Sequence, residues 1–339
     1  MNIISPMLLA LCAVGAAQAA GREAPWQVAR SNGVLVDEIF ARTRRMVHAW
    51  LTTADPKTLL LPDRVPGCLF GKWDGVPLYT PHNSGADNYP FLIITSYLTD
   101  ADLFQGRMAE MLRSEVRYTD VVGGKIPANL RLDTHELGPP SFFGAGEYCK
   151  DGMVPVTELL GRTRWYYRML DMTENFMERA PMKTRFGNLP DNGAELNGDV
   201  LQTLGRLIPM TGDCRFLRWA EQIGDAYIEE VLPNSNYLPT AKYDFEKKTP
   251  SETAWLGDHG NETIVGLVLL QALETELGLP RGQSYRPVMR KVLDRAIETA
   301  NPDGFIGCVA KTILSAKPNQ PTISSIDYSA FNPRSSRMN

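Results

Sequence analysis

The chain has 339 residues, 43% hydrophobic and 22% charged, with a formal net charge of −4. This is a globular composition, long enough for one large core or two modest ones. No lysine–arginine stripe stands out, which argues against a nucleic-acid partner.

The chain opens on MLLALCAVGAA (7–17), an apolar run too short to span a bilayer, followed by AQA (17–19), a small-x-small cleavage pattern. Residues 1–19 read as a secretory signal, although no Lys or Arg precedes the apolar run. The mature chain is expected to be secreted or periplasmic, with no membrane attachment after cleavage. Cleavage removes Cys12 and leaves Cys68, Cys149, Cys214 and Cys308. An oxidising compartment permits them to pair, and buried free thiols are the alternative. No CxxC spacing points to a zinc or redox motif.

The first helical pattern spans 33–52, with Val34, Leu35, Ile39, Phe40, Met46, Val47 and Trp50 at helical spacing, and Asp55-Pro56 ends it. A loop rich in Pro and Gly follows. Further helical patterns lie at 87–98, 102–118, 147–160, 164–179, 194–210, 213–232, 260–277 and 284–300. Strand signals are few, and GKIPANLRLDTH (124–135) could hold one short hairpin. Periodicity stops after Asn301. The chain therefore divides into the signal, a helical domain at 20–305, and an irregular or disordered tail at 306–339.

Two kinds of helix alternate. YPFLIITSYL, MVPVTELL, VLQTLGRLIPM and TIVGLVLLQAL are apolar nearly all round and need enclosure. The others carry charge on one face and belong at the surface. That alternation makes αα-hairpins, each with a buried and an outer member. A faint repeat agrees with this: DADLFQGRMAEML (100–112) aligns without gaps on TGDCRFLRWAEQI (211–223). Both begin with a turn acid, Asp102 or Asp213, and the pattern suggests stacked units that bury their apolar faces on neighbours.

Each apolar helix begins in a polar cluster. His82, Asn83, Asp87 and Asn88 precede the first, Glu147 and Asp151 the second, Glu195, Asn197 and Asp199 the third, and Asp258, His259 and Glu262 the fourth. Glu147/Asp151, Glu195/Asp199 and Asp258/Glu262 are i,i+4 pairs, which place like charges on one helical face at a cost. Singly, such acids can be N-caps or partners of the helix dipole, and His259 or His82 alone can be a structural histidine. Recurrence before four enclosed helices points further, to carboxylates gathered at one mouth. Paired carboxyls flanking a scissile oxygen are what glycoside hydrolysis requires.

Trp73, Tyr79, Tyr89, Phe91, Tyr148 and Trp255 lie in or beside these clusters. Aromatic faces stack on sugar rings, and Trp73 and Trp255, in polar loops, fit that role better than core packing. Arg64, Arg131 and Arg185 are loop candidates for an acidic sugar. No GxSxG, P-loop or GxGxxG element is present. Four histidines without ligand spacing argue against zinc. A calcium site from Asp and Asn oxygens stays open, although there is no EF-hand loop. No metal or cofactor is expected.

The alternating helices, TGD…FLRWAE, HNSGADNYPF, AELNGD and DHGNE together resemble the secreted (α/α)6-toroid glycoside hydrolases, closest to glucuronidases and unsaturated glucuronyl hydrolases. The resemblance covers about residues 32–305. It implies an all-α toroid of stacked αα-hairpins with its site at the mouth, hydrolysing a uronic-acid-containing poly- or oligosaccharide. By the same resemblance Asp87, Glu195 and Asp258 are the catalytic candidates. His82, Asn83, Tyr89, Trp73, Asp151, Asp199, Trp255, His259 and Glu262 are the candidates for substrate contact. A full toroid needs twelve helices and nine are counted, so the ring is expected to be incomplete at its C-terminal side. A polysaccharide lyase on the same frame and a non-catalytic carbohydrate-binding protein remain as alternatives.

Overall fold

The computed structural model describes residues 25–67, 74–120, 125–307 and 309–311. The expected signal (1–19), most of the tail, Trp73, Cys68 and Cys308 lie outside the described residues.

Helix α1 is Pro25–Leu51. Helix α2 begins with a π-helical turn, Pro81–Asn88, and continues as Tyr89–Thr99. Helix α3 runs over 101–119 and α4 over 142–160, each with a π-helical turn inside it, Phe104–Met108 and Tyr148–Met153. Then follow α5 (Arg164–Glu178), α6 (Ala194–Thr211) and α7 (214–234). Helix α8 is Glu262–Glu276, preceded by the 3-10 turn Asp258–Asn261, and α9 covers 281–298. Every expected helix is present within a few residues, apart from α1, α2 and α4, which begin earlier.

Helices α2, α4, α6 and α8 form an inner arc: α4 packs on both α2 and α6, and α6 packs on α8. The amphipathic helices lie outside it, as α7 does on α6 and α1 on α2. Between them sits a continuous apolar core, including Met169 and Phe176 of α5, Leu201 and Leu204 of α6, Phe216 and Ile223 of α7, and Leu267 and Leu270 of α8. The two central inner helices are well covered. The end members are not: Phe91, Tyr97 and Leu98 of α2 and Val265 and Val268 of α8 are exposed. Among the described residues, the apolar helix at each end of this arc has a covered and an uncovered side.

Two glycines set the closest crossing. A Cβ on Gly198 of α6 would stand 2.3 Å from the backbone of Glu262 and Thr263, and one on Gly266 of α8 would meet Leu201 Cβ at 2.5 Å. The two backbones therefore touch, which draws the polar starts of α6 and α8 together.

The structure departs from expectation in two places. Val34, Leu35, Ile39, Phe40 and Met46 of α1 are exposed, because no described element covers that face of the helix; Val47 alone is buried. Asp102 stands in the first turn of α3, which Asp100 caps by accepting from Leu103 N at 3.1 Å, and Asp213 caps α7. The strand expected within 124–135 is Ala128–Arg131 (β2), but it joins Leu78–Tyr79 (β1) and Leu137–Pro140 (β3) in an antiparallel three-stranded sheet. Further short pairs form between Met182–Thr184 (β4) and Gly187–Leu189 (β5), Tyr243–Asp244 (β6) and Thr249–Pro250 (β7), and Thr253–Trp255 (β8) and Val309–Lys311 (β9). Cys149 is buried and Cys214 exposed, both as free thiols. Among the described residues no helix is long and apolar enough to cross a membrane.

Candidate active site

Loop chemistry places the first wall. Asp63, in the loop before β1, accepts from Thr80 N (3.0 Å), Thr80 Oγ1 (2.7 Å), Asn83 Nδ2 (3.2 Å) and Ser84 Oγ (2.5 Å). This clamp fixes the π-helical start of α2, which carries His82 and Asp87. That turn packs on the π-helical turn of α4, which carries Lys150 and Asp151. Such turns recur at functional sites because the extra residue redirects side chains.

The start of α6 is held equally firmly. Asn197 Nδ2 donates to Asp191 O and Gly193 O, both at 2.8 Å, and Tyr227 Oη donates to Gly193 O at 2.7 Å. Thr263 Oγ1, at the start of α8, donates to Ala194 O at 2.5 Å. Four inner helices thus begin at one mouth.

Lys150 is the hub of this mouth. Its Nζ stands 3.1 Å from Asp199 Oδ1, 2.8 Å from Glu262 Oε1 and 3.1 Å from Asp151 Oδ2. One ammonium therefore ties α4 to α6 and α8. Burial works against the Lys150 charge, but Asp199, Glu262, Asp151 and Glu147 outweigh it and its pKa rises. Gln202 Nε2 also donates to Glu262 Oε2 at 2.5 Å. Beside the hub a half-open cavity of about 340 Å³ runs between α4, α6 and α8, past Val154, Gln202 and the exposed Val265 to Glu158 and Arg206.

The acids around this lysine do not share one protonation state. Burial, with Asp199 and Asp151 close by, drives the Glu147 carboxyl far above the usual range, so it holds its proton. Burial also raises Asp199, although Lys150 opposes the shift. Asp87 is raised as well, by burial first and by Asp151 second, with His82, Lys150 and His259 pulling the other way. On the far side His259 Nδ1 lies 2.6 Å from Glu195 Oε1, and the Trp255 and His259 rings meet edge to face with centroids 6.0 Å apart. Glu147, Glu195 and His259 each present one donor atom, all within 4.8 Å of one another, and are the described residues that could hold a metal ion.

Of the residues singled out from sequence, Asp87, Asp151, Glu195, Asp199, His259 and Glu262 meet here, with His82 near Asp87 and Trp255 at the rim. The Asp258 backbone opens the 3-10 turn, but its side chain lies outside the described residues, as does Trp73. One assignment needs correction. Tyr89 is buried, its Oη donating to Met108 O at 2.5 Å and accepting from Trp165 Nε1 at 2.9 Å, so it belongs to the core. Asn83 donates its Nδ2 to Asp63 at 3.2 Å, within the clamp that positions the turn. Sequence reasoning missed Lys150, Glu147 as the proton-holding member, and Asp63. The signal for Lys150 was a single lysine at the start of an otherwise apolar inner helix.

No family model matches the sequence, and neither does any curated protein. Among solved structures, cellobiose 2-epimerase from Spirochaeta thermophila DSM 6192 is similar, with a TM-score of 0.54 and 12% identity over 81% of this chain and 76% of that one. D-mannose isomerase is similar at a TM-score of 0.50 and 12% identity, over 79% of this chain and 73% of that one. At such identity the likeness concerns the fold, and the chain is an all-α protein of (α/α)-toroid type.

Proposed function

We propose that this protein is a carbohydrate-processing enzyme, and that it is a glycoside hydrolase with Asp87 as general acid and Glu195 as general base. The carrying observation is the meeting of carboxyls in unlike environments at one mouth. Asp87 is pushed toward its protonated form while facing solvent, where it can reach a leaving oxygen. Glu195 stands against the His259 imidazole, which fixes its direction. Water is the second substrate, and the names of the two fold relatives support a sugar as the first.

The chemistry of the mouth refines the expected substrate. Asp87, Glu147, Asp151, Glu195, Asp199 and Glu262 face Lys150 and His259. Arg131 is paired with Asp133, and Arg185 with Glu230. A uronate would meet repulsion there, so a neutral oligosaccharide fits better than the uronic acid anticipated from sequence. Trp255 offers an exposed ring for stacking, and His82 and His259 can take up hydroxyls. Export to a periplasm or out of the cell is part of the same proposal.

A second reading, sugar epimerisation or isomerisation, is favoured by one observation. His82 and His259 both lie close enough to Asp87 to stabilise its charge. Imidazoles at one mouth can remove and return a proton beside the carbonyl of an opened sugar.

One assay separates these readings: the purified protein is incubated in D2O with neutral and uronic oligosaccharides. Hydrolysis releases new reducing ends, with a rate that falls as pH rises through the raised pKa of Asp87. Asp87→Asn and Glu195→Gln should each lower kcat about 10²- to 10⁴-fold. Deuterium at a sugar carbon without new reducing ends would replace the hydrolase by the second reading. An ultraviolet-absorbing product would mean a lyase, and absence of all turnover a binding protein. Variants as fast as the parent would remove Asp87 and Glu195 from their roles.

A further inference from the structure

We propose that Glu147, Glu195 and His259 form a binding site for a divalent transition-metal ion, of the Mn2+ or Zn2+ class. The donors come from three successive inner helices: Glu147 at the end of the first α-helical segment of α4, Glu195 in the first turn of α6, and His259 in the turn before α8. Their three donor atoms lie within 4.8 Å of one another, a span that one ion can bridge with bonds of about 2.0–2.4 Å.

A second observation points to a ligand. Glu147 is 5% exposed, and its Oε1 is enclosed with no hydrogen-bond partner. A buried carboxyl oxygen cut off from water and left unbonded is costly, and a cation that takes the place of the Glu147 proton removes the cost. The nearest ammonium does not do so: Lys150 directs its short contacts to Asp151, Asp199 and Glu262. The His259 Nδ1 and Glu195 Oε1 atoms, now in direct contact at 2.6 Å, need to part by only a few tenths of an ångström to take neighbouring positions on one ion. Trp255 buttresses the imidazole from outside. An imidazole with two carboxylates suits Zn2+ and Mn2+ better than the all-oxygen sets preferred by Ca2+ and Mg2+. Water would complete the coordination on the open side of the mouth.

The inference goes beyond the sugar chemistry and does not depend on it, because binding is read without any substrate. Protein stripped with a chelator is titrated with MnCl2, following the free-ion signal by electron paramagnetic resonance, and with ZnCl2 by calorimetry. The expected result is one ion per chain, with affinity lowered at least about tenfold in Glu147→Gln and in His259→Ala. Glu110→Gln, which alters an exposed pair with Arg113, serves as the surface control and should bind as the parent does. Should His259→Ala fail to fold, Glu195→Gln and the visible spectrum of the Co2+ form of the parent replace it; nitrogen–oxygen coordination is expected there. No ion retained above the surface level, or equal affinity in the parent and the ligand variants, overturns the proposal. A chain that binds the ion yet turns over no sugar would leave this site standing and defeat only the enzymatic reading.

Discussion

Lys150 shows why the acids of this protein can be buried together. Asp199 is fully enclosed, and Glu262 and Lys150 nearly so, yet all keep a charged partner. Replacing the lysine by methionine leaves the carboxylates facing one another. Breaking a buried pair from one side costs about 3–5 kcal/mol, and Lys150→Met should lose that much by chemical denaturation at pH 7. The pH dependence has a fixed sign. Asp199 and Glu147 titrate higher in the folded protein than their ordinary values of 3.8 and 4.5. The folded state therefore binds more protons, so their contribution is fully present below those values and is lost as pH rises through the raised ones. Removing the lysine steepens that loss. The deficit of Lys150→Met should widen from acid to neutral pH, and a deficit independent of pH would show that the lysine does not compensate these acids.

At the scale of the element, the contact of α6 with α8 decides whether the mouth assembles. The clash at Gly198 is with backbone atoms, which cannot swing aside as a side chain can. Gly198→Ala should destabilise the protein by about 1–3 kcal/mol and lower activity together with it; a variant of parental Tm would mean that the helices can part without cost. Helix positions were legible in sequence because apolar residues recurred with the helical period, and the division into inner and outer members followed from how much of each surface was apolar. The short strand pairs were not legible. Segments of two to four residues, such as Leu78–Tyr79 and Ala128–Arg131, carry no measurable period, and their partners are distant in the chain. Tyr89 and Asn83 illustrate the same limit. Both stand in a polar cluster next to Asp87, but one turns into the core and the other onto Asp63.

Across the whole molecule, covered and uncovered apolar surface are unevenly distributed. Helix α1 is 27 residues long with one buried side chain. It contributes little to the core before Thr43, so a chain starting there should keep its Tm within about 2 °C of the parent. A larger drop would mean that the exposed face, with Trp26, Val34, Leu35, Ile39 and Phe40, is covered in solution.

Composition and periodicity alone determined that this is an all-α protein of alternating buried and outer helices, with acids concentrated where the buried ones begin. Those are local properties, set by spacing and by the cost of exposing apolar surface. Which acids meet, which one holds a proton and which cation stands among them were decided by tertiary structure. Asp87, Glu147, Lys150, Asp199, His259 and Glu262 come from four helical starts spread along the chain. A protonation state or a ligand set depends on distances of a few ångströms and on exclusion of water, and both exist only once the inner helices lie side by side.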